Sequence, residues 1–244
     1  VNLAREVGMK TLIKGGTVIT ASDTIKTDVL FENEKITALG TGFSEGFDVQ
    51  VIDAVGKLVM PGGVDVHTHF DLPMFETVSS DDHYTGHKAA AFGGTTTVMD
   101  FVSFDKKTLA ESVGAWHEKA DGKAAVDFGF HMNISRFDEQ VAAEIPYLRE
   151  LGINSVKVFT AYTNRLRLND AYIFETLRIA RKHGMLVMVH AENGDVIDVL
   201  IDEALKAGNT TPEWHALTRP IASEVEAVYR CIKLAELAES PLYI

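Results

Sequence analysis

From residue 9 to about residue 53, apolar and polar side chains alternate in short pieces: TLIKG at 11–15, TVIT at 17–20, VLFENEKITALG at 29–40 and VQVIDA at 49–54. A period of two puts one set of side chains on a buried face and the other in water. It predicts antiparallel strands broken at Gly and Asn-Glu turns. No helix of useful length is legible there, and a sheet module of roughly 50 residues is too small to be comfortable without a partner. After Lys57 the rhythm changes. Less strictly alternating apolar runs stand at 58–69, 95–103, 124–134, 153–162 and 185–192. Helical patterns separate or follow them, at about 81–92, 106–120, 138–151, 170–183 and 196–207. Strands buried on both faces, each followed by a helix at a spacing of about 30 residues, predict βα units and a parallel sheet. Ser223 with Glu226 reads as a capping box, and Gly184 after Arg181, Lys182 and His183 reads as a helix stop.

A dinucleotide fold needs G-x-G-x-x-G after a strand and opening a helix. Gly93 and Gly94 lead instead into Thr95, Thr96 and Thr97 and a strand, and no P-loop pattern is present. The large parallel architecture that remains is a (β/α) barrel with its site at the C-terminal strand ends. Five complete strands and a sixth beginning at PLYI, 241–244, fall short of eight. The expectation is an α/β chain forming an incomplete (β/α)8 TIM-type barrel over 57–244, preceded at 9–56 by a β module. Residues 1–8, VNLAREVG, read as an upstream extension or a scar.

Composition narrows the class. Apolar residues make up 46% and charged residues 24% of 244, which excludes disorder and fibrous repeats. No run is apolar enough for a signal peptide or a membrane span. The net charge of −12 opposes nucleic acid and anionic membrane as partners. The single cysteine, Cys231, sits in a helical pattern and can form no internal bridge, so a cytoplasmic location is expected.

Chemistry concentrates at strand ends. In DVHTH, 65–69, His67 and His69 share a side-chain direction, so two imidazoles can grip one divalent ion, with Asp65 on the same face as a supporting partner. The alternative is ordinary polar surface. Lys157 lies inside the apolar run SVKVF, where a bare ammonium is costly. An ion pair, a Schiff-base nucleophile or a carbamate formed with CO2 would each resolve this. With histidines on other strand ends, the carbamate rises above the Schiff base, because an anion favours a neighbouring metal and a cation does not. His190 closes the run MLVMV as a metal ligand or a hydrogen-bonded core histidine, and Glu192 is a ligand, a base or an orienting group. Tyr162, just past its strand, could donate to a developing oxyanion. His83 and His87, four apart, read as solvated helix surface. His117 and His183 read the same way, His215 as a loop residue, and His131 as a strand-end residue without a second ligand.

Five strings carry a resemblance: GGVDVHTHFDLPM at 62–74, AAAFGGTTTVMDF at 89–101, SVKVFTAY at 155–162, VMVHAENGDVID at 187–198 and HALTRP at 215–220. Together they resemble the dihydropyrimidinases and D-hydantoinases, cyclic amidohydrolases of the amidohydrolase superfamily. The resemblance implies a metal-bearing barrel beside a small β-sandwich, with 9–56 as the N-terminal share of that sandwich. It also implies two divalent metals, zinc by preference. His67 and His69 would hold one, carboxylated Lys157 would bridge both, and His190 would hold the other. Tyr162 would steady the tetrahedral intermediate, and Leu72, Met74, Phe159 and Leu166 would form an apolar gate against the substrate's ring substituent. The implied reaction opens the cyclic amide of 5,6-dihydropyrimidines or 5-substituted hydantoins to N-carbamoyl amino acids through a metal-bridging hydroxide. The full-length chain would form a homotetramer or homodimer. A further metal histidine and a general-base aspartate of such enzymes would fall beyond Ile244, so activity is expected only of the longer chain. Many relatives carry Met and Lys where this chain has Thr160 and Thr163.

Dihydroorotase is disfavoured because Asp71 stands where that family commonly places a substrate-binding arginine. Allantoinase differs mainly in the polarity of the gate. A catalytically inactive fragment, or a dihydropyrimidinase-like scaffold protein, is the alternative outside catalysis.

Overall fold

The computed structural model describes residues 10–74 and 77–244, so the octapeptide at 1–8 lies outside the described residues. The chain divides between Gly62 and Gly63 into two compact units.

In the N-terminal unit, seven strands form two sheets: β1 (Lys10–Lys14), β2 (Thr17–Ile19), β3 (Thr24–Lys26), β4 (Asp28–Glu32), β5 (Lys35–Gly40), β6 (Val49–Asp53) and β7 (Leu58–Val59). Their orders are β5-β4-β1-β6 and β3-β2-β7. Asn33 and Glu34 adopt positive φ, 52° and 63°, and make the tight turn of the β4–β5 hairpin as their sequence suggests. Purely antiparallel pairing, however, is not what forms. β1 pairs with β6 in parallel and β2 with β7 in parallel. The chain leaves β5 at one edge and crosses to the other, so β6 runs in the direction of β1. Alternation of side chains looks the same in both pairings, which is why the pattern could not separate them.

The second unit holds β8 (Gly63–Thr68), β9 (Pro73–Met74), β10 (Thr77–Val78), α1 (His83–Phe92), β11 (Thr95–Val102), α2 (Leu109–Ala120), β12 (Asp127–Asn133) and α3 (Glu139–Glu144). After a 3-10 turn at Ile145–Arg149 come β13 (Ser155–Phe159), α4 (Asp170–Lys182), β14 (Leu186–His190), α5 (Gly194–Lys206), α6 (Trp214–Leu217), α7 (Ile221–Ala238) and β15 (Leu242–Tyr243). Strands β8, β11, β12, β13, β14 and β15 lie side by side in chain order, every pair parallel. This is the α/β architecture the rhythm predicts: an open, curled parallel sheet, the strands of an incomplete barrel.

Outward-facing Val102, Phe130, Met132, Val156, Val158, Val187 and Val189 meet Trp116, Ile145, Leu148, Ile173, Leu177, Ala227 and Cys231 from the helical layer in one buried cluster. Burying such a side chain fully contributes about 1.5–3 kcal/mol. Helix starts are capped locally. Asp82 with Thr85 and Thr108 with Glu111 form reciprocal boxes at α1 and α2, and Asn169 and Asn193 cap α4 and α5. Ser223 does not cap. α7 already begins at Ile221 behind Pro220, and the Ser223 hydroxyl donates to the Pro220 carbonyl at 2.8 Å. His215 sits on the one-turn helix α6 rather than in a loop.

His83 and His87 are not surface residues. Both are fully buried, with His83 Nδ1 3.3 Å from His87 Nε2 and His83 Nε2 3.6 Å from the Asp100 carboxylate. The Trp116 indole N–H donates to the same carboxylate at 3.2 Å. α1 turns the face of His83, Gly86 and His87 inward, and Phe70 fills the space at Gly86, where a Cβ would lie 2.2 Å from the ring. Burial and the neighbouring His87 bring His83 down to about 4 from 6.5; Lys119 and Lys123 push the same way, while Asp71 opposes. Burial lifts Asp100 to about 6.

The two groups pull stability in opposite directions. The His83 contribution is present above about pH 6.5 and is lost as pH falls towards 4, because unfolding lets the ring take a proton. The Asp100 contribution is present at low pH and is lost as pH rises through about 6. The His83→Phe variant should therefore narrow the drop in melting temperature between pH 7 and pH 4.5, read by circular dichroism. An unchanged drop would place the acid sensitivity elsewhere.

Candidate active site

Alternation along the parallel strands builds the site. Valines of β13 and β14 face the helices, so Ser155, Lys157 and Phe159 of β13, and Met188 and His190 of β14, face the inside of the curl. β12 places His131 and Asn133 on that side, and β11 places Phe101 there.

Phe101, 1% exposed, is the platform on which the inner groups gather. Its ring centroid lies 4.5 Å from that of His67, 5.2 Å from that of His69 and 4.8 Å from that of His131. The Lys157 ammonium stands 4.5 Å above the same ring and 5.2 Å from that of Phe159. Lys157 is 8% exposed, and no carboxylate pairs with it among the described residues. Burial lowers its pKa, which moves it towards the neutral, nucleophilic amine. The ion-pair account of this lysine therefore finds no partner.

His67 and His69 are neighbours, their ring centroids 5.2 Å apart and nearly perpendicular. Desolvation first, then Lys157, lowers His67; desolvation, His67 and Lys157 bring His69 to about 4. Both are neutral imidazoles at pH 7, the form that donates a lone pair to a metal. Asp65 accepts the His67 backbone N–H at 3.1 Å, so its carboxylate supports the strand end rather than an imidazole nitrogen. Among the described residues, no three His, Cys, Asp or Glu side chains gather closely enough to hold a metal ion. Lys157 stands over the same Phe101 ring as these two histidines. Two imidazoles alone do not make a closed metal centre, and a carboxylated Lys157 would add the anionic oxygens that such a centre lacks.

His131 has both ring nitrogens engaged, Nδ1 with the Ser155 hydroxyl and Nε2 with the Val66 carbonyl at 3.0 Å, which makes it a tie between β8, β12 and β13. His190, the last residue of β14, meets Glu192 Oε2 through Nε2 at 2.6 Å. The Tyr162 ring lies 5.3 Å from that of His190 at 33° and 6.1 Å from that of Phe159. Tyr162 holds φ at +66°, a left-handed backbone that is rare outside glycine and whose strain is characteristic of functional loops. The following residues fold back onto it, the backbone N–H groups of Arg165 and Leu166 donating to its carbonyl at 3.1 Å. Burial and the Glu192 charge raise the Tyr162 pKa, so the phenol keeps its proton and remains a donor.

Of the four residues expected to form the gate, Phe159 is buried beside Lys157, while Leu166 is half-buried in the loop after Tyr162. Leu72 is half-buried, tied by its N–H to the Ser79 hydroxyl at 2.9 Å, and Met74 is exposed on the β9–β10 hairpin. A cavity of about 440 Å³ opens between Tyr162, His190, Glu192, His215, Arg219 and Ile244. The structure adds three residues that sequence reasoning missed: Phe101, Thr160 and Arg219. Thr160, 2% exposed, bonds through its hydroxyl to the backbone of both His190 and Glu192. The departure from Met noted at this position was the available signal.

With this geometry in view, the kinship is direct. The pattern that defines the amidohydrolase family matches residues 58–217. A D-hydantoinase from Geobacillus stearothermophilus is 48% identical over 238 residues, covering 97% of this chain and 50% of that protein. A crystal structure of a D-hydantoinase superposes with a TM-score of 0.93 at 48% identity, over 96% of this chain and 51% of that one. The dihydropyrimidinase of Brevibacillus agri gives 0.92 at 49% identity, over 96% and 51%. The chain belongs to the amidohydrolase family, on its D-hydantoinase and dihydropyrimidinase branch, and spans about half the length of the relatives it matches.

Gly194, the first residue of α5, is where the helix meets the Tyr162 loop. A Cβ there would lie 2.9 Å from Ala161 Cα and 3.0 Å from the Thr160 carbonyl oxygen, both backbone atoms. Gly194→Ala should cost about 1–3 kcal/mol through this overpacking, read as a lower denaturation midpoint. An unchanged midpoint would show that α5 can withdraw from the loop freely.

Proposed function

We propose that this chain carries the metal-binding half of a cyclic-amide hydrolase, acting on 5-substituted hydantoins or 5,6-dihydropyrimidines to give N-carbamoyl amino acids. The observation that carries the reading is Lys157, a buried amine with no carboxylate partner among the described residues, on the same aromatic platform as His67 and His69. Reaction of the neutral amine with CO2 forms an N–C bond and releases a proton. The resulting anion is suited to the two divalent ions, zinc by preference, that His67 and His69 on one side and His190 on the other would hold. Bound there, the ions supply Lewis acidity and a water acidic enough to ionise near neutral pH.

The protein's own groups do the rest. Tyr162, kept protonated, donates to the amide carbonyl oxygen as negative charge grows on it. Phe159, Leu72, Met74 and Leu166 provide apolar contact for the ring substituent and hold the ring amide towards Lys157. Those apolar side chains favour a hydantoin or dihydropyrimidine over the more polar allantoin. The longer protein, a homotetramer or homodimer in the cytoplasm, would complete the site.

Two measurements test the reading. The protein equilibrated with zinc and 13C-bicarbonate should show a carbamate carbon that disappears, with zinc content, in Lys157→Ala. Full metal occupancy in that variant would sink the carbamate. In a version extended past Ile244, Tyr162→Phe should reduce turnover of hydantoin and dihydrouracil by about 10²–10³ with metal content unchanged. An unaltered rate would remove Tyr162 from the reaction, and hydrolysis of allantoin alone would overturn the substrate class.

A further inference from the structure

We propose that Glu192 is a positioning residue: it holds His190 as the Nε2–H tautomer and leaves Nδ1 as the nitrogen with a free lone pair. This rests on the reading of His190 as a metal ligand only in its consequence; the tautomer itself is a property of the metal-free protein. Glu192 Oε2 lies 2.6 Å from His190 Nε2, and Nδ1 has no hydrogen-bond partner among the described residues. A carboxylate only accepts, so the proton of the neutral ring belongs on Nε2.

The carboxylate is itself held. The Glu192 N–H donates to Thr160 Oγ1 at 2.9 Å, and the same hydroxyl donates to the Glu192 carbonyl at 2.7 Å. It thus clamps both backbone groups of one residue from the neighbouring strand end. The second carboxylate oxygen faces Arg219 Nε at 3.9 Å, and Arg219 is anchored through Nη1 to the His215 carbonyl at 2.8 Å. The Tyr162 ring covers one side of the imidazole and limits its rotation. Metal-binding histidines commonly give their other N–H to a carboxylate, which fixes the ring and makes the ligating nitrogen more basic. Here Thr160 supplies what a Met at its place could not, a hydroxyl that sets where the carboxylate starts.

The test is the 15N spectrum of the metal-free protein, with His190 assigned by comparison with His190→Asn. It is recorded at about pH 8.5, above the range in which histidines usually titrate. The expected result is a pyrrole-type Nε2 and a pyridine-type Nδ1. Glu192→Gln, whose amide oxygen still accepts, should keep that pattern, whereas Glu192→Leu should give a mixture of tautomers and bind zinc about 10–100-fold more weakly. An Nδ1–H tautomer in the unaltered protein would overturn the proposal, and so would an unchanged pattern in Glu192→Leu. The expected tautomer without any zinc uptake would support the assignment of Glu192 and count against the metal-binding reading instead.

Discussion

A positive charge on Lys157 has nowhere to go. Its amine lies over the faces of Phe101 and Phe159, with neutral imidazoles beside it and, among the described residues, no carboxylate against it. An isolated ammonium in such surroundings loses solvation that a ring face restores only in part. The rest of the inner surface is arranged around that constraint. His67 and His69 are held neutral partly by the same amine, and His131 is committed to Ser155 and Val66. The carbamate proposed at Lys157 would convert this cation to an anion and make a repulsive neighbourhood attractive to divalent ions.

The two faces of the sheet carry different responsibilities. Outward valines make the core with the helices, and single polar residues set among them point inward. Stability and chemistry are therefore written in the same five-residue segments, one residue apart. On the helix side, His83, His87 and Asp100 break that division, because they are buried polar groups behind β11 where apolar packing is the norm.

What the sequence made legible follows from contrast. Lys157, His67, His69 and His190 stand out because each interrupts or closes an apolar strand, and the strand–helix rhythm is regular enough to order the sheet. Phe101 carries no such mark: an aromatic residue in an apolar strand looks like any other core residue until its neighbours are known. Thr160 and Arg219 act on Glu192 from 32 and 27 residues away, distances that no local pattern spans. His83 and His87 misled because i,i+4 polar spacing usually marks a wet face. Here the helix leaves Tyr84 and Phe92 exposed, and Phe70 packs with the two imidazoles on its inner side. The parallel pairing of β1 with β6 was hidden for another reason, since register and direction depend on a crossover whose path the alternation does not encode.

Strictly parallel order in the six-stranded sheet also governs time. Each pairing joins segments separated by a whole helix, so the chain must close long loops before any strand contact repays them, and such topologies fold slowly. His67 lies on the first strand of the sheet, Lys157 on the fourth and His190 on the fifth, so bringing them together depends on four successive long-range pairings. A metal centre drawn from these strands, as proposed for His67, His69, Lys157 and His190, would engage only the finished arrangement. It would act as a latch on the native state, favouring it by mass action in proportion to how far the ion's concentration exceeds its dissociation constant.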